Sequence, residues 1–275
     1  MLGYQIIPVT HYQQNCTLLW CDETREAAVV DPGGDIERIL NAIAEHKLQL
    51  VKILLTHGHL DHVGGTAALR DVFQHALPIE GPHRDDMFWI NILPQQAQMI
   101  GFASPLSFQP DVFFEDGDKV RFGNIELQVR HCPGHTPGHI IFFHDETRLA
   151  LVGDVLFKGS IGRTDFPRGN YTDLVNSIRT KLWPLGDDVS GAECAVASVP
   201  LGADDGFEFA QLDCVAQRND QALGGDGLDE KVERALAHGG DDGVEGGMGR
   251  LDDHRDGGLV AAHLFHHSKA VAVGH

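Results

Sequence analysis

The stretch Val51-Lys52-Ile53-Leu54-Leu55-Thr56-His57-Gly58-His59-Leu60-Asp61-His62-Val63-Gly64-Gly65 decides how this chain is read. An apolar run of strand character stops at Thr56, and three imidazoles and a carboxylate follow within six residues. A buried strand gives the loop after it a fixed starting point, so the side chains are aimed rather than left to wander. Imidazole and carboxylate are ligands preferred by zinc, iron and manganese, and adjacent positions in such a loop can serve two ions. The pattern reads as a metal site on a strand end, and Gly64-Gly65 opens a helical stretch behind it.

Around this loop the chain alternates strand and helix patterns up to residue 189. Tyr4 to Pro8, Thr17 to Trp20 and Ala27 to Val30 read as strands, the last ending in the turn Asp31-Pro32-Gly33-Gly34. Ile36, Ile39, Leu40 and Ile43 recur at helical spacing, with Asp35 placed to cap the helix start. A second helix carries Ala67, Leu69, Val72 and Phe73, and Arg84 to Met99 reads as helical with an interruption at Pro94. Gly123-Asn124 joins two strands as a hairpin, Asp145-Glu146-Thr147 joins two more, and Tyr171 to Leu182 closes the region as a helix. Two further segments offer metal ligands: Cys132-Pro133-Gly134-His135-Thr136-Pro137-Gly138-His139 and Leu151-Val152-Gly153-Asp154. Each candidate sits just past a strand, where an α/β sheet presents its functional loops. An aspartate between two cations can bridge them, one oxygen to each.

Composition narrows the class. With 275 residues and 42% hydrophobic content the chain can bury a sizeable core. No apolar run approaches the ~20 residues of a membrane helix, and Met1 to Thr10 lacks secretory-signal character, so a cytoplasmic address is expected. The net charge of −19 argues against nucleic acid and anionic membranes as partners. Five cysteines without a C-x-x-C pair indicate reduced thiols rather than a disulfide framework.

These motifs resemble the metallo-β-lactamase-fold hydrolases, and within them the short, single-domain bacterial glyoxalase II group. The resemblance rests on Val30-Asp31-Pro32-Gly33-Gly34, the histidine loop, Cys132 to His139, Gly153-Asp154 and Gly162-Arg163-Thr164-Asp165-Phe166, and covers residues 1–189. It implies an αββα sandwich of the α/β class with the site along one edge. It also implies that His57, His59 and His135 hold one metal, that Asp61 and His62 hold a second, and that Asp154 bridges them. The implied cofactor is Zn2+ in a two-metal site, with iron or manganese as alternatives. The implied reaction is hydrolysis of a small-molecule thioester such as S-lactoylglutathione by a metal-bound hydroxide, with Asp61 in the machinery. Arg163 would contact an anionic substrate, and Asp31 and His139 would hydrogen-bond to the metal loop. Cys132 reads as a small buried residue rather than a nucleophile. The stretch from Arg163 to Phe166 also resembles persulfide dioxygenases of this fold, which keep one iron on two histidines and one aspartate.

The resemblance stops at Val189. About −10 of the net charge falls beyond it, in a Gly/Ala/Asp-rich tail over residues 190–275 that has little apolar surface to offset the entropy of ordering it. The final strand and its Pro-Gly-His ligand are expected to be missing, with Ser190-Gly191-Ala192-Glu193 in their place. The tail histidines, His238, His254, His263, His266, His267 and His275, have no matching context. The joint loss of motif and composition suggests a tail translated out of frame, a hypothesis that reading the other two frames after codon 189 tests. The expected consequences are a disordered tail, an exposed sheet edge, a weak second metal and an impaired or inactive enzyme.

Overall fold

The computed structural model describes residues 1–102, 105–157, 160–186 and 188–193. Strands β1 (Leu2–Val9), β2 (Gln14–Cys21) and β3 (Glu26–Val30) precede helix α1 (Ile36–Glu45) and β4 (Gln49–Leu54). Short helices α2 (Leu60–Val63) and α3 (Thr66–Val72) lead to β5 (Ile79–Glu80), then α4 (Met87–Asn91) and α5 (Leu93–Ile100). The second half holds β6 (Lys119–Phe122), β7 (Ile125–His131), β8 (Ile140–His144), β9 (Leu149–Gly153), β10 (Leu156–Phe157), β11 (Ser160–Ile161), α6 (Tyr171–Ser177) and β12 (Ser190–Glu193).

Two five-stranded sheets result, ordered β1-β2-β3-β4-β5 and β12-β9-β8-β7-β6. The period-2 alternation of side chains decides what each face meets. Leu19, Ala28 and Leu54 of the first sheet pack against Leu127, Phe142 and Leu151 of the second. Leu18, Val29 and Ile53 point the other way, onto Ile39, Ala42 and Ile43 of α1. On the outer face of the second sheet, Ile141, Phe143 and Val152 meet Leu174 and Ile178. Both sheets are therefore covered on two faces, which is why β8 and β9 read as continuous apolar runs. The order helix, sheet, sheet, helix is the αββα sandwich expected from the sequence. No helix among the described residues is long and apolar enough to cross a membrane.

Three local expectations need correction. Asp35 stands at the start of α1 in a left-handed conformation and makes no side-chain cap. Its carboxylate instead accepts the Thr10 amide at 2.8 Å, tying the β1–β2 turn to the helix. The helical interruption falls at Ile92, and Pro94 lies in the first turn of α5, where its missing N–H costs nothing. Most consequentially, the sheet does not end at Val189. Ser190–Glu193 forms β12, parallel to β9, with Ser190 opposite Leu149 and Glu193 opposite Gly153. Four residues of this composition hold a strand because β9 offers them a ladder of backbone partners, a tertiary contribution that propensity does not carry. The edge of β9 is therefore covered. The expected disorder of the tail, and the tail histidines, lie outside the described residues.

Candidate metal centre

Backbone architecture gathers the ligand candidates. The loop after β4 carries His57, His59, Asp61 and His62; the turn after β7 carries His135; the end of β9 delivers Asp154. His57, His59, His62 and His135 are buried, with at most 8% exposure, in a region where the fold would ordinarily place apolar groups.

Among the described residues three groups of potential ligand atoms converge: His83, Asp85 and His131 elsewhere, and two here. The first is His57, His59, His135 and Asp154; the second is Asp31, His57 and His62. His59 Nδ1 lies 3.2 Å from His57 Nε2 and 2.9 Å from His135 Nε2. Tautomers inferred from the hydrogen-bond network show what these distances mean. The His135 Nδ1–H donates to the Arg163 carbonyl at 2.8 Å, so His135 Nε2 carries a lone pair. The Thr56 hydroxyl donates to Asp31 Oδ2 at 2.5 Å and must accept from His57 Nδ1–H, which leaves His57 Nε2 with a lone pair too. His59 Nδ1 can offer one proton to one of them at most. At least one of the two Nε2 lone pairs is thus left without a donor, and a cation between the rings would satisfy it. The spacings are close to the ~3.3 Å edge of a tetrahedron with metal–nitrogen bonds of about 2.0–2.1 Å.

Asp154 is addressed from both sides. Its Oδ2 is 3.2 Å from His135 Nε2 and its Oδ1 is 3.2 Å from His62 Nε2. His62 Nε2 is buried without a hydrogen-bond partner. Asp61 Oδ2 approaches the same nitrogen at 3.8 Å, and the Asp61 side chain is 31% exposed. The fit to divalent metal is therefore good at the three-histidine group and reaches His62 through Asp154, whereas Asp61, expected beside His62, stands outside both convergent groups.

Electrostatics agree. Burial holds the imidazoles of His57 and His59 well below their ordinary pKa, aided by neighbouring histidines, so both are neutral and ready to ligate. Burial also pulls His62 down, but Asp154, Asp61 and Asp31 outweigh it and raise its pKa well above normal. Asp154 is the counterpart: burial raises it, and His62 and His135 more than reverse that, leaving it well below the carboxylate range. Asp61 is raised, first by burial.

The residues expected to support the loop do contact it. Asp31 accepts the Thr56 amide at 2.7 Å and the His62 Nδ1–H at 2.9 Å. His139 accepts the Asp154 amide at 3.1 Å and stacks on His57, with centroids 4.6 Å apart. Arg163 is exposed and already engaged, forming two 2.6 Å hydrogen bonds to Asp165 and lying over the Phe166 ring. Cys132 is fully buried, and burial drives its thiol pKa upward, as suits a packing residue.

Sequence reading missed three neighbours. Asp86, fully buried, accepts hydrogen bonds from Gly58, Thr136 and Gly138. Burial pushes its carboxyl up to about 6, even against those bonds. Trp89 and Phe166 set ring edges against His59 at 4.5 and 4.9 Å. Nothing near Asp86 in the chain marks it, since Arg84-Asp85-Asp86 reads as an ordinary helix start.

A metal-ready cluster along one edge of an αββα sandwich defines a metallo-hydrolase class. The chain belongs to the metallo-beta-lactamase superfamily, which it matches over residues 9–199. It is 49% identical over 189 residues to the hydroxyacylglutathione hydrolase GloC of Haemophilus influenzae, covering 68% of this chain and 88% of that one. It is also 34% identical over 178 residues to the human mitochondrial persulfide dioxygenase ETHE1, covering 63% and 61% of the two chains. Among solved structures, TTHA1623 in a di-iron-bound form aligns with a TM-score of 0.62 and 31% identity, over 70% of this chain and 91% of that one.

Proposed function

We propose that this chain is a glyoxalase II-type hydrolase that cleaves a thioester such as S-lactoylglutathione to a hydroxy acid and a free thiol. The observation carrying the reading is the double address of Asp154, with one oxygen 3.2 Å from His135 and the other 3.2 Å from His62. In this reading His57, His59 and His135 would hold one ion, Asp61 and His62 would hold a second, and Asp154 would serve both. The identity with the Haemophilus hydrolase supports the substrate class. The donor set suits zinc, iron and manganese alike, and the di-iron-bound relative supports iron.

Divalent metal bound there supplies Lewis acidity and lowers the pKa of water toward ~7. The chain's own residues do the rest. Asp31 keeps the His62 proton on Nδ1, so that Nε2 faces the site. The Arg163 carbonyl does the same for His135. Asp61, the most exposed of the acidic ligand candidates, orients water and holds a proton during turnover. Trp89 and Phe166 shield His59 from solvent. Asp165 fixes Arg163 through its Nε and Nη2 donors, and the Nη1 donors are the ones that would meet a substrate carboxylate. Metal-restored protein should release thiol from S-lactoylglutathione, and Asp154→Asn should abolish that release while leaving the fold intact.

A second reading is a mononuclear-iron persulfide dioxygenase. It is favoured by the ETHE1 relationship and by the compactness of the first ligand group, which suffices for one ion. Oxygen consumption with glutathione persulfide, absent thioester turnover, would select it. The sequence also supports a third outcome, an impaired product with a weak second metal position, because no Pro-Gly-His segment follows residue 189.

A further inference from the structure

Between the two ligand loops sits one carboxylate that belongs to neither. Asp86 Oδ2 accepts the Gly58 amide at 2.8 Å and the Thr136 hydroxyl at 2.8 Å, while Oδ1 accepts the Gly138 amide at 2.5 Å. Gly58 lies between His57 and His59; Thr136 and Gly138 follow His135. The bonds therefore reach the peptide of the first loop and the turn of the second, which are otherwise separated by more than seventy residues of chain. Packing makes the joint tight. A Cβ at Gly58 would come within 2.8 Å of Trp89 Cβ and 3.0 Å of the Asp86 carbonyl oxygen, and one at Gly138 would come within 2.5 Å of the Asp86 amide nitrogen. Glycine at both places lets the Asp86 backbone wedge between the loops. Three residues on, Trp89 packs against the His59 ring.

We propose that Asp86 is a positioning residue for the first metal: it clamps the 56–62 and 132–139 loops so that the lone pairs of His57, His59 and His135 are held converged before any ion arrives. This rests on the reading that those histidines bind metal. The chemistry requires an anion or at least a pure acceptor, since all three partners donate. Asparagine has the same shape, but its NH2 group must face the Gly58 and Thr136 donors or the Gly138 amide. In either orientation at least one backbone N–H loses its partner in a buried site. A loop that drifts by a fraction of an ångström no longer presents a tetrahedral edge, and the ion must then organise the loops at the expense of its own binding. Changes in residues that orient metal ligands typically weaken affinity about 10–100-fold.

The test is a competition titration of metal-free full chain with Zn2+ against a chromophoric chelator, for the wild type, Asp86→Asn and Thr136→Val, with thermal unfolding of each metal-free protein alongside. Asp86→Asn should weaken the tightest Zn2+ by about 10–100-fold and Thr136→Val by less. Co2+ loaded at the same position should change its visible absorption in Asp86→Asn, reporting altered geometry. Unchanged affinity in a folded Asp86→Asn protein overturns the proposal, as does a lowered unfolding temperature with unchanged affinity, which would make Asp86 a structural residue alone. If Asp86→Asn does not fold, Thr136→Val decides: weaker binding supports the clamp and equal binding overturns it. A wild-type chain that holds no Zn2+ sinks the metal-site reading and this proposal together, whereas tight wild-type binding with unweakened variants sinks only the clamp.

Discussion

Asp31 Oδ2 stands 2.9 Å from His62 Nδ1, both side chains almost wholly buried. Because the carboxylate accepts, the imidazole proton is drawn to Nδ1 and Nε2 is turned toward Asp154. Asp31→Asn should therefore lower metal occupancy at the His62 position and thioester turnover by about 10–100-fold. Elemental analysis and thiol release together check it, and unchanged values in both would show that His62 needs no such partner.

Loss of a histidine from the first group should be more severe. Without His57 or His135 the site keeps too few neutral nitrogens to hold an ion tightly, so His57→Ala and His135→Ala should lose tightly bound metal. Full metal content in both variants refutes the ligand assignment.

Acid should unfold the metal-free protein partly through its histidines. Burial holds His57, His59 and His139 well below the ordinary value of 6.5. In the folded chain they stay neutral while the unfolded chain takes up protons. Their contribution is thus complete above about pH 6.5 and declines as the pH falls below it. His62, raised by its carboxylates, works in the opposite direction: its contribution is present below 6.5 and is lost as pH rises through the folded value. Below 6.5 His62 is charged in both states and adds no slope. Asp86, pushed up to about 6, and Asp61 oppose the buried histidines there, while His131 and His144, also held low by burial, join them. Five histidines against two carboxyls predict a falling unfolding temperature between about pH 6.5 and 5 for chelator-treated protein. The slope should be shallower in His139→Gln, whose amide can still accept the Asp154 N–H. Identical slopes in calorimetry would contradict this.

The end of β12 gives the chain a place for a further ligand. Glu193 pairs with Gly153, immediately before Asp154, so β12 ends beside that carboxylate. Replacing Cys194, Ala195 and Val196 by Pro, Gly and His should raise both the affinity for a second metal and thioester turnover. If neither changes, the shortage of a final ligand does not limit this protein.

Much of this candidate site was legible because its ligand candidates are contiguous or strand-terminal. His57 to His62 follow an apolar run, and His135 and Asp154 each follow a strand, so local pattern was enough. The sandwich itself was implied by the family resemblance those motifs carry; the apolar runs marked the strands, whose burial on two faces removes the alternation of an exposed sheet. What escaped depends on contacts distant in sequence. Asp86 acquires its importance from donors 28 to 52 residues away. The Asp35 carboxylate was expected to cap its own helix and is instead taken by Thr10, 25 residues earlier. β12 exists because β9 pairs with it, and nothing in Ser190-Gly191-Ala192-Glu193 itself announces a strand.

The central claim is that this cluster is a metal-dependent thioester-cleaving centre. Its most direct test is free-thiol release from S-lactoylglutathione by the full chain, measured after metal loading, after chelation and after metal is restored. The account predicts release that disappears on chelation and returns with divalent metal. A protein with its metal positions filled that releases no thiol, or one whose release is indifferent to chelation, would contradict it.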